Sequence, residues 1–414
     1  MNFWLIPLIM MLLASIVFVM ISLYLLGLAI AAISHPDRKL IHGVFQGERI
    51  PHARFIILIP AHNEELLLGD ILQDLQQQFY PADHYEIVVI ADNCTDKTAE
   101  IATAAGAITL VRNDLTNRGK GQALNWAIQE QLSHWSRSWD ALVIMDADSI
   151  LNPDFLWFMD ERLQQGYQAI QGYYGVLNSS DNWRTSLMSA ALSVFHFIRP
   201  LGRDRLGLPC GLKGNGMCFA RPLVERFGYP ASSVVEDIEL ALIYLKEGIG
   251  VKFSPGAQVY AQMATTQRHA DTQRKRWEGG RLELMSKWAP SLYIDGVKEK
   301  HFAKVDAAWD LFVPPLTLLV LPTVLGWSVM LLILLLHPTI LGQIVFAIWS
   351  LTFCALFFYI ATGLVLTRAS LAVWLKLSAI PLFLFWKIAS YIGMIFERGL
   401  KAPSEWIRTG REKM

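Results

Sequence analysis

The sequence predicts an α/β domain with a mostly parallel central sheet, flanked on both sides by helices of membrane-spanning length. Three observations predict it. Between residues 55 and 146, short apolar runs alternate with amphipathic segments, the pattern of βαβ units joined by right-handed crossovers. Long apolar stretches lie at both ends of the chain, around 3–33 and beyond 309. The 414 residues are 53% hydrophobic and only 17% charged, with a mean hydropathy of +0.34. A soluble domain carries closer to about 25% charge, so part of this chain is expected in lipid.

In order along the chain, residues 3–33 are apolar and uncharged up to Asp37. That is long enough to cross a bilayer with some tilt. It lacks the basic leader and short apolar core of a cleaved signal peptide. His35-Pro36-Asp37-Arg38-Lys39 follows, and basic residues beside a span favour the cytoplasmic side. Phe55–Pro60 reads as a strand buried on both faces. Residues 64–78 read as a helix with Leu67, Leu68, Ile71, Leu72 and Leu75 on one stripe. Strand 86–90, helix 95–105, strand 108–112, helix 119–132 and strand 141–146 follow. Asn152 is expected to cap, and Pro153 to start, the next helix. Hydrophobicity returns in 309–336 and 343–366, read as two spans. Residues 371–396 carry Lys376 and Lys387, a cost at mid-bilayer that favours an interfacial or re-entrant segment. The expected organisation is a membrane helix in 1–34 and a cytoplasmic catalytic domain in 53–290. An interfacial linker at 291–308, membrane or interfacial helices at 309–397 and a basic tail at 398–414 complete it.

The formal net charge is zero, which gives no support to a nucleic-acid partner. Cys94, Cys210, Cys218 and Cys354 have no metal-ligand spacing and are read as small buried side chains. A dinucleotide-binding fold would need G-x-G-x-x-G after the first strand. That turn is Pro60-Ala61-His62-Asn63-Glu64 instead.

The ligand-bearing ends of such sheets lie beyond the carboxyl ends of the strands, where several polar residues cluster. Asp146 and Asp148 form a D-x-D pair at the end of strand 141–146. Two hard oxygen donors there suit Mg²⁺ or Mn²⁺ bridging to substrate phosphates, although an acidic turn would show the same letters. Asp92 ends the second strand, where it either accepts from the N–H of a pyrimidine or makes an Asx-turn. Arg118-Gly119-Lys120-Gly121 opens a helix, where Lys120 either favours phosphate or belongs to a solvated basic turn. Glu236-Asp237 opens an amphipathic helix. The pair either complements the helix dipole or supplies a general base, Asp237, that deprotonates an acceptor hydroxyl. Gln273, Arg276 and Trp277 share a face of a helix from about 266 to 288. Arg276 is suited to a diphosphate and Trp277 to a sugar ring. An interfacial helix with snorkelling basic residues is the competing reading. Gly214-Asn215-Gly216 either permits close approach of a chain to backbone or makes a tight hairpin.

With these motifs in this order, the chain resembles the membrane-integrated processive glycosyltransferases of family 2. These include the cellulose, chitin-oligosaccharide, hyaluronan and poly-N-acetylglucosamine synthases. The resemblance spans roughly residues 1–410 and is specific over 55–288. It implies a GT-A fold. It also implies uridine binding by Glu64 and Asp92, with Asp146 and Asp148 on diphosphate and metal and Gln273 and Arg276 completing the donor site. Val235-Glu236-Asp237 stands where the family has T-E-D and gives Asp237 as base, with Glu236 beside it. Trp277 and Gly214-Asn215-Gly216 are implied on the acceptor side. The stretch from Glu405 to Arg411 resembles a tail motif of bacterial exopolysaccharide members. The implied activity is inverting transfer from a UDP-sugar to a growing β-glycan, with Mg²⁺ or Mn²⁺, at the inner membrane. The alternative is a glycolipid synthase that moves one sugar onto a membrane lipid, for which a small membrane part suffices. Accessory export subunits are not specified by the sequence.

Overall fold

The computed structural model describes residues 5–34, 43–132, 135, 138–230, 233–263 and 267–379, with only the backbone of 267–276, 278 and 379. The basic stretch at 35–39, Lys387 and the tail motif around 405–411 lie outside the described residues.

Helix α1 (Leu5–Ser34) is the first apolar segment. The sheet begins with β1 (Phe55–Ala61), β2 (Tyr85–Asp92), β3 (Ile108–Arg112) and β4 (Ala141–Ile144). These four lie in the order β3-β2-β1-β4, and every neighbouring pair is parallel. Helices α2 (Leu68–Leu75), α3 (Thr98–Ala104) and α4 (Lys120–Trp126) make the crossovers, and a π-helical turn, Ala127–Gln131, extends α4. The second half of the sheet is mixed. It contains β5 (Ser149–Leu151), β6 (Ala169–Val176), β7 (Met217–Ala220) and β8 (Lys252–Ala261). Here β4 pairs β7 and β7 pairs β6 antiparallel, β6 pairs β8 parallel, and β8 pairs β5 antiparallel.

Alternation along the strands divides the core into two layers. Ile56 and Leu58 face one layer, and Phe55, Ile57 and Ile59 face the other. Only the first layer continues into the apolar helices, through Leu25, Ala29 and Ala32 of α1. Helices α5 (Phe155–Gln164), α6 (Trp183–Leu192), α7 (Arg199–Arg205), α8 (Arg221–Phe227) and α9 (Glu236–Lys246) fill the rest of the globular part. Long α10 (Gln267–Lys298) and α11 (Phe302–Phe312) pack on α9 through Leu242, Leu245, Leu292 and Leu311.

Helices α12 (Leu316–Leu336) and α13 (Ile340–Leu366) follow. With α1 they are the three described helices long and apolar enough to cross a membrane. The span expected over 309–336 is broken in two: α11 stops at Phe312 and α12 starts at Leu316. Pro314-Pro315 explains the break, because proline lacks the N–H a continuing helix needs and fixes φ. The segment from Leu371 begins as a short helix, α14 (Leu371–Lys376). Lys376 Nζ donates to the Ser180 carbonyl at 2.6 Å, which ties this segment to the globular part.

Three further expectations are corrected. The helix expected over 64–78 occupies only Leu68–Leu75, so Glu64 lies in the turn before it. The helix start expected at Pro153 is displaced: Asp154 is the cap residue and α5 begins at Phe155. The Asn152 amide instead donates to the carbonyls of Gly43 and Gly256 and accepts from Gln258 N–H, stitching a loop to β8. Cys354 is exposed, although Cys210 and Cys218 are buried.

A close packing fixes α1 to the globular part. A Cβ at Gly202 on α7 would fall onto the Leu28 carbonyl, so α7 and α1 touch backbone to backbone. Arg203 Nη1 donates to the Tyr24 hydroxyl at 2.8 Å, and Arg205 donates to the Ala32 carbonyl at the end of α1. Tyr359 on α13 donates to the Val194 carbonyl at 3.2 Å.

Candidate functional site

The carboxyl ends of β1, β2 and β4 open onto one cavity of about 1010 Å³. Both β1 and β2 end in a strained turn. Asn63 (φ 56°) and Asn93 (φ 52°) take the left-handed conformation, which non-glycine residues adopt at some cost and asparagine most readily. The turns are cross-tied: Asn63 Oδ1 accepts from Thr95 N–H at 2.7 Å, and the ring Nδ1 of His62 lies 2.7 Å from the Asp92 carbonyl. Asp92 is held by Arg112 at 2.7 Å and by the Asn93 amide at 3.0 Å. Arg112 also donates to Asp114 and to the Asn117 carbonyl. Glu64, Asp92 and Asn93 line the cavity. Arg112 escaped sequence reading, because nothing in the run Ile108–Arg112 distinguishes it from an ordinary strand-end residue. Only the parallel register, which sets Asp92 opposite Arg112, reveals the pair.

Asp146 and Asp148 occupy the turn between β4 and β5, and both line the same cavity. Asp148 is 4% exposed and accepts from the Ser149 hydroxyl at 3.1 Å. Asn215 braces this turn from behind. It is fully buried, its Oδ1 accepts from Asp146 N–H at 3.1 Å, and its Nδ2 donates to Ser149 Oγ at 2.8 Å. Gln171 in turn donates to the Asn215 carbonyl at 2.8 Å. The Gly214-Asn215-Gly216 loop, expected on the acceptor side, is therefore split. Gly214 lines the cavity, while Asn215 points inward to the D-x-D turn. Gly216 (φ 66°) admits no side chain, since a Cβ would meet Val259 Cγ1 at 2.6 Å.

Asp237 stands at the start of α9 and faces Gly214; a Cβ there would lie 3.4 Å from Asp237 Oδ2. Burial raises the Asp237 carboxyl above the usual carboxylate range, opposed by its hydrogen bond from Ile238 N–H and by the charges of Lys213 and Lys120. Lys120 donates to Asp146 Oδ1 and to the Gly214 carbonyl, each at 2.5 Å. Burial pulls its pKa down, but Asp146, Glu236 and Asp237 outweigh burial and leave it raised. The single ammonium bridges the D-x-D turn and the Gly214 loop.

Trp277 is half-buried on α10 and lines the cavity. Gln273 and Arg276 lie on the same helix, and their side chains are outside the described residues. Asp146, Asp148, Glu236, Asp237, Lys120, Glu64, Asp92, Gly214 and Trp277 thus share one cavity. Sequence reading missed its far end: Phe195, Arg199, Lys213, Arg281 and Asp310 line it too, followed by the apolar side chains of Leu25, Leu316 and Val320.

Comparison with known proteins places this geometry. Residues 51–280 match the family described as glycosyltransferase like family 2. The probable glycosyltransferase YdaM of Bacillus subtilis (strain 168) is 26% identical over 246 residues, 57% of each chain. A beta-monoglucosyldiacylglycerol synthase of Nostoc sp. is 26% identical over 298 residues, 70% of this chain and 60% of that protein. The poly-beta-1,6-N-acetyl-D-glucosamine synthase of Staphylococcus aureus (strain COL) is 25% identical over 233 residues, 55% of this chain and 54% of that one. The chain therefore spans less than two thirds of the length of these relatives. Among solved structures, the mannosyltransferase PcManGT from Pyrobaculum calidifontis, in complex with GDP-Man and Mn²⁺, aligns with a TM-score of 0.51 at 16% identity. It covers 84% of this chain and 97% of that one, a likeness that speaks for the GT-A fold. The family match covers more than half of the chain, so the chain belongs to glycosyltransferase-like family 2.

Proposed function

We propose that the protein is an inverting transferase that moves a sugar from a UDP-sugar to a hydroxyl presented at the membrane. The observation that carries this reading is the single cavity holding Asp146, Asp148, Asp237 and Trp277 and running on to α1 and α12. Asp92, fixed by Arg112, and Glu64 would take the uridine. Lys120 would serve the diphosphate, with Gln273 and Arg276 on α10.

The donor set suits a divalent cation of the Mg²⁺ or Mn²⁺ kind. Asp146 and Asp148 offer only carboxylate oxygens, and no cluster of three His, Cys, Asp or Glu ligands exists among the described residues. An ion with two protein carboxylates and the rest of its shell from phosphate and water fits that supply. When bound, it would neutralise charge on the leaving diphosphate.

Asp237 is the base. It removes the proton of the acceptor hydroxyl as that oxygen attacks C1 of the sugar. The bond from C1 to the diphosphate oxygen breaks, its electron pair leaves with UDP, and the configuration inverts. The proton remains on Asp237. Its raised pKa suits that task better than an ordinary carboxylate. Asn215 keeps the D-x-D turn in place, and the Gly214 backbone borders the acceptor space.

Extension of a β-glycan is the first product reading, favoured by the flat indole of Trp277 at the cavity wall. Transfer of one sugar to a lipid is the second, favoured by the apolar side chains that close the cavity on the membrane side. The catalytic domain at 53–290 would face the cytoplasm of a multi-pass inner-membrane protein. The interfacial linker at 291–308 would connect it to the helices of 309–397 and the basic tail at 398–414. Membranes containing the enzyme, labelled UDP-sugars and Mg²⁺ test the reading. Labelled product is expected from the intact chain and not from Asp237→Asn. A retained ladder identifies the polymer and a single solvent-extractable species the glycolipid. Absence of any transfer from UDP-sugars would overturn the proposal.

A further inference from the structure

Between the carboxylates and the apolar wall, the cavity passes a cluster of cations. Four basic side chains meet there: Arg199 and Arg203 from α7, Lys213 from the loop before β7, and Arg281 from α10. Three surround a single ring. The distances to the Phe195 centroid are 4.5 Å for Lys213, 5.2 Å for Arg199 and 5.4 Å for Arg281. Two carboxylates on α11 face them, and both are consumed by the other arginines. Arg199 pairs with Asp310 at 2.5 Å, while Arg203 pairs with Asp306 at 2.5 Å and with Asp310 at 2.9 Å. This part is a structural lock, because Tyr24 of α1 joins it through Arg203 and through Asp306 and Asp310.

Lys213 and Arg281 stand outside the lock. Arg281 donates to the backbone carbonyl of Asp310 at 2.7 Å, and neither cation has a carboxylate partner within ion-pair distance among the described residues. Both line the cavity. Half-buried cations without a carboxylate partner favour a ligand that supplies the counter-charge. The neighbours carry the same message. Burial lowers the Lys213 pKa to about 8, aided by Arg199 and Arg281 against Asp310 and Cys210. Burial lowers Arg281 to about 10, aided by Arg199 and Arg203 against Asp310.

The position of the cluster limits what fits. On one side Lys213 adjoins Gly214, where an added Cβ would lie 3.4 Å from Asp237 Oδ2. On the other, Val313 and Leu316 follow Asp310 across the break between α11 and α12, and with Leu25, Val320 and Ile360 they give the cavity an apolar wall. The sequence of chemistries is therefore base, cation pair, hydrocarbon. We propose that Lys213 and Arg281 form an anion subsite for the phosphate of a membrane lipid, whose chains lie along α1 and α12 and whose polar end reaches Asp237. The proposal rests on the reading that the acceptor arrives from the membrane, and it narrows that acceptor to an anionic amphiphile.

The test is binding, which does not require turnover. Full-length protein in neutral detergent is titrated with short-chain phosphatidylglycerol, with diacylglycerol of the same chain length, with inorganic phosphate and with UDP. Tighter binding of phosphatidylglycerol than of diacylglycerol is expected. The doubly substituted Lys213→Gln, Arg281→Gln protein is expected to lose about tenfold or more of phosphatidylglycerol affinity and to keep its UDP affinity, which shows that it is folded. Lys213→Arg should retain phosphatidylglycerol binding. Affinity should fall as pH rises through about 8, where Lys213 loses its proton in the empty site. Equal binding of the two lipids, or unchanged affinity in the double variant, would overturn the proposal. So would inorganic phosphate binding as tightly as the lipid, which would mark a site for free anion. Failure of UDP-sugar transfer with phosphatidylglycerol binding intact would instead strike the catalytic reading and leave the subsite standing.

Discussion

The two ends of the cavity are electrostatic opposites, and two lysines mark the contrast. At the strand ends, Lys120 sits among Asp146, Glu236 and Asp237 and its pKa is raised in spite of burial. At the membrane side, Lys213 sits among Arg199 and Arg281 and its pKa falls to about 8. Burial acts on both in the same direction, so the neighbours decide the outcome. The first end has an excess of carboxylate and calls for cations. The second has an excess of cation and calls for an anion. Little backbone separates them, since Lys120 donates to the Gly214 carbonyl and Lys213 is the preceding residue. The proposed transfer would use such a divided cavity, with the donor diphosphate and its metal at one end and the acceptor at the other.

The sharpest way to break this comparison is at Asp237. Asp237→Asn should lower transfer by about 10²–10⁴-fold, the usual worth of a general base, in assays with labelled donor. The same change should stabilise the fold. The folded-state pKa of Asp237 is raised, so the folded protein binds its proton more readily than the unfolded chain. Ionisation at neutral pH therefore opposes folding, and a neutral amide removes that opposition. A melting temperature that rises while activity collapses would be the expected pairing. The acid limb of kcat follows from the same shift: activity should fall as pH drops through a value above the ordinary carboxylate range.

Chelation of divalent cations, or Asp148→Asn, should also abolish transfer. Neither should change binding of lipid at the other end, which checks that the two ends are separable. A smaller effect is expected at Arg112. Arg112→Leu frees Asp92 and should raise the donor KM more than it lowers kcat, since Asp92 is read as a base-binding rather than a reacting group. The smallest effect concerns attachment to the membrane helices. Gly202→Ala forces α7 away from α1 and should cost about 1–3 kcal/mol, read as a lower melting temperature with the donor KM unchanged.

Much of the carboxylate end of the cavity was legible in the sequence because its residues punctuate strands. An apolar run ending in Asp92 or in Asp146-Ala147-Asp148 announces both the strand and the site, since open α/β sheets place ligands at those ends. The Glu236-Asp237 start of α9 was legible for a similar reason. The membrane end was not. Arg199, Lys213, Arg281 and Asp310 come from four separate segments, none with a repeating spacing, and only tertiary packing around Phe195 assembles them. Asn215 was read as facing the acceptor because its flanking glycines signal close approach. They signal it correctly, but what approaches is the buried Asn215 amide against the D-x-D turn. The mixed second half of the sheet escaped too, because β5 and β7 are three and four residues long and leave no period to read.

The most direct test of the central claim is the initial rate of label transfer from UDP-sugars in Mg²⁺, compared between the intact chain and Asp237→Asn in the same membranes. The account predicts transfer by the first and a loss of about a hundredfold or more in the second, with UDP still bound by both. Undiminished transfer by Asp237→Asn would contradict it.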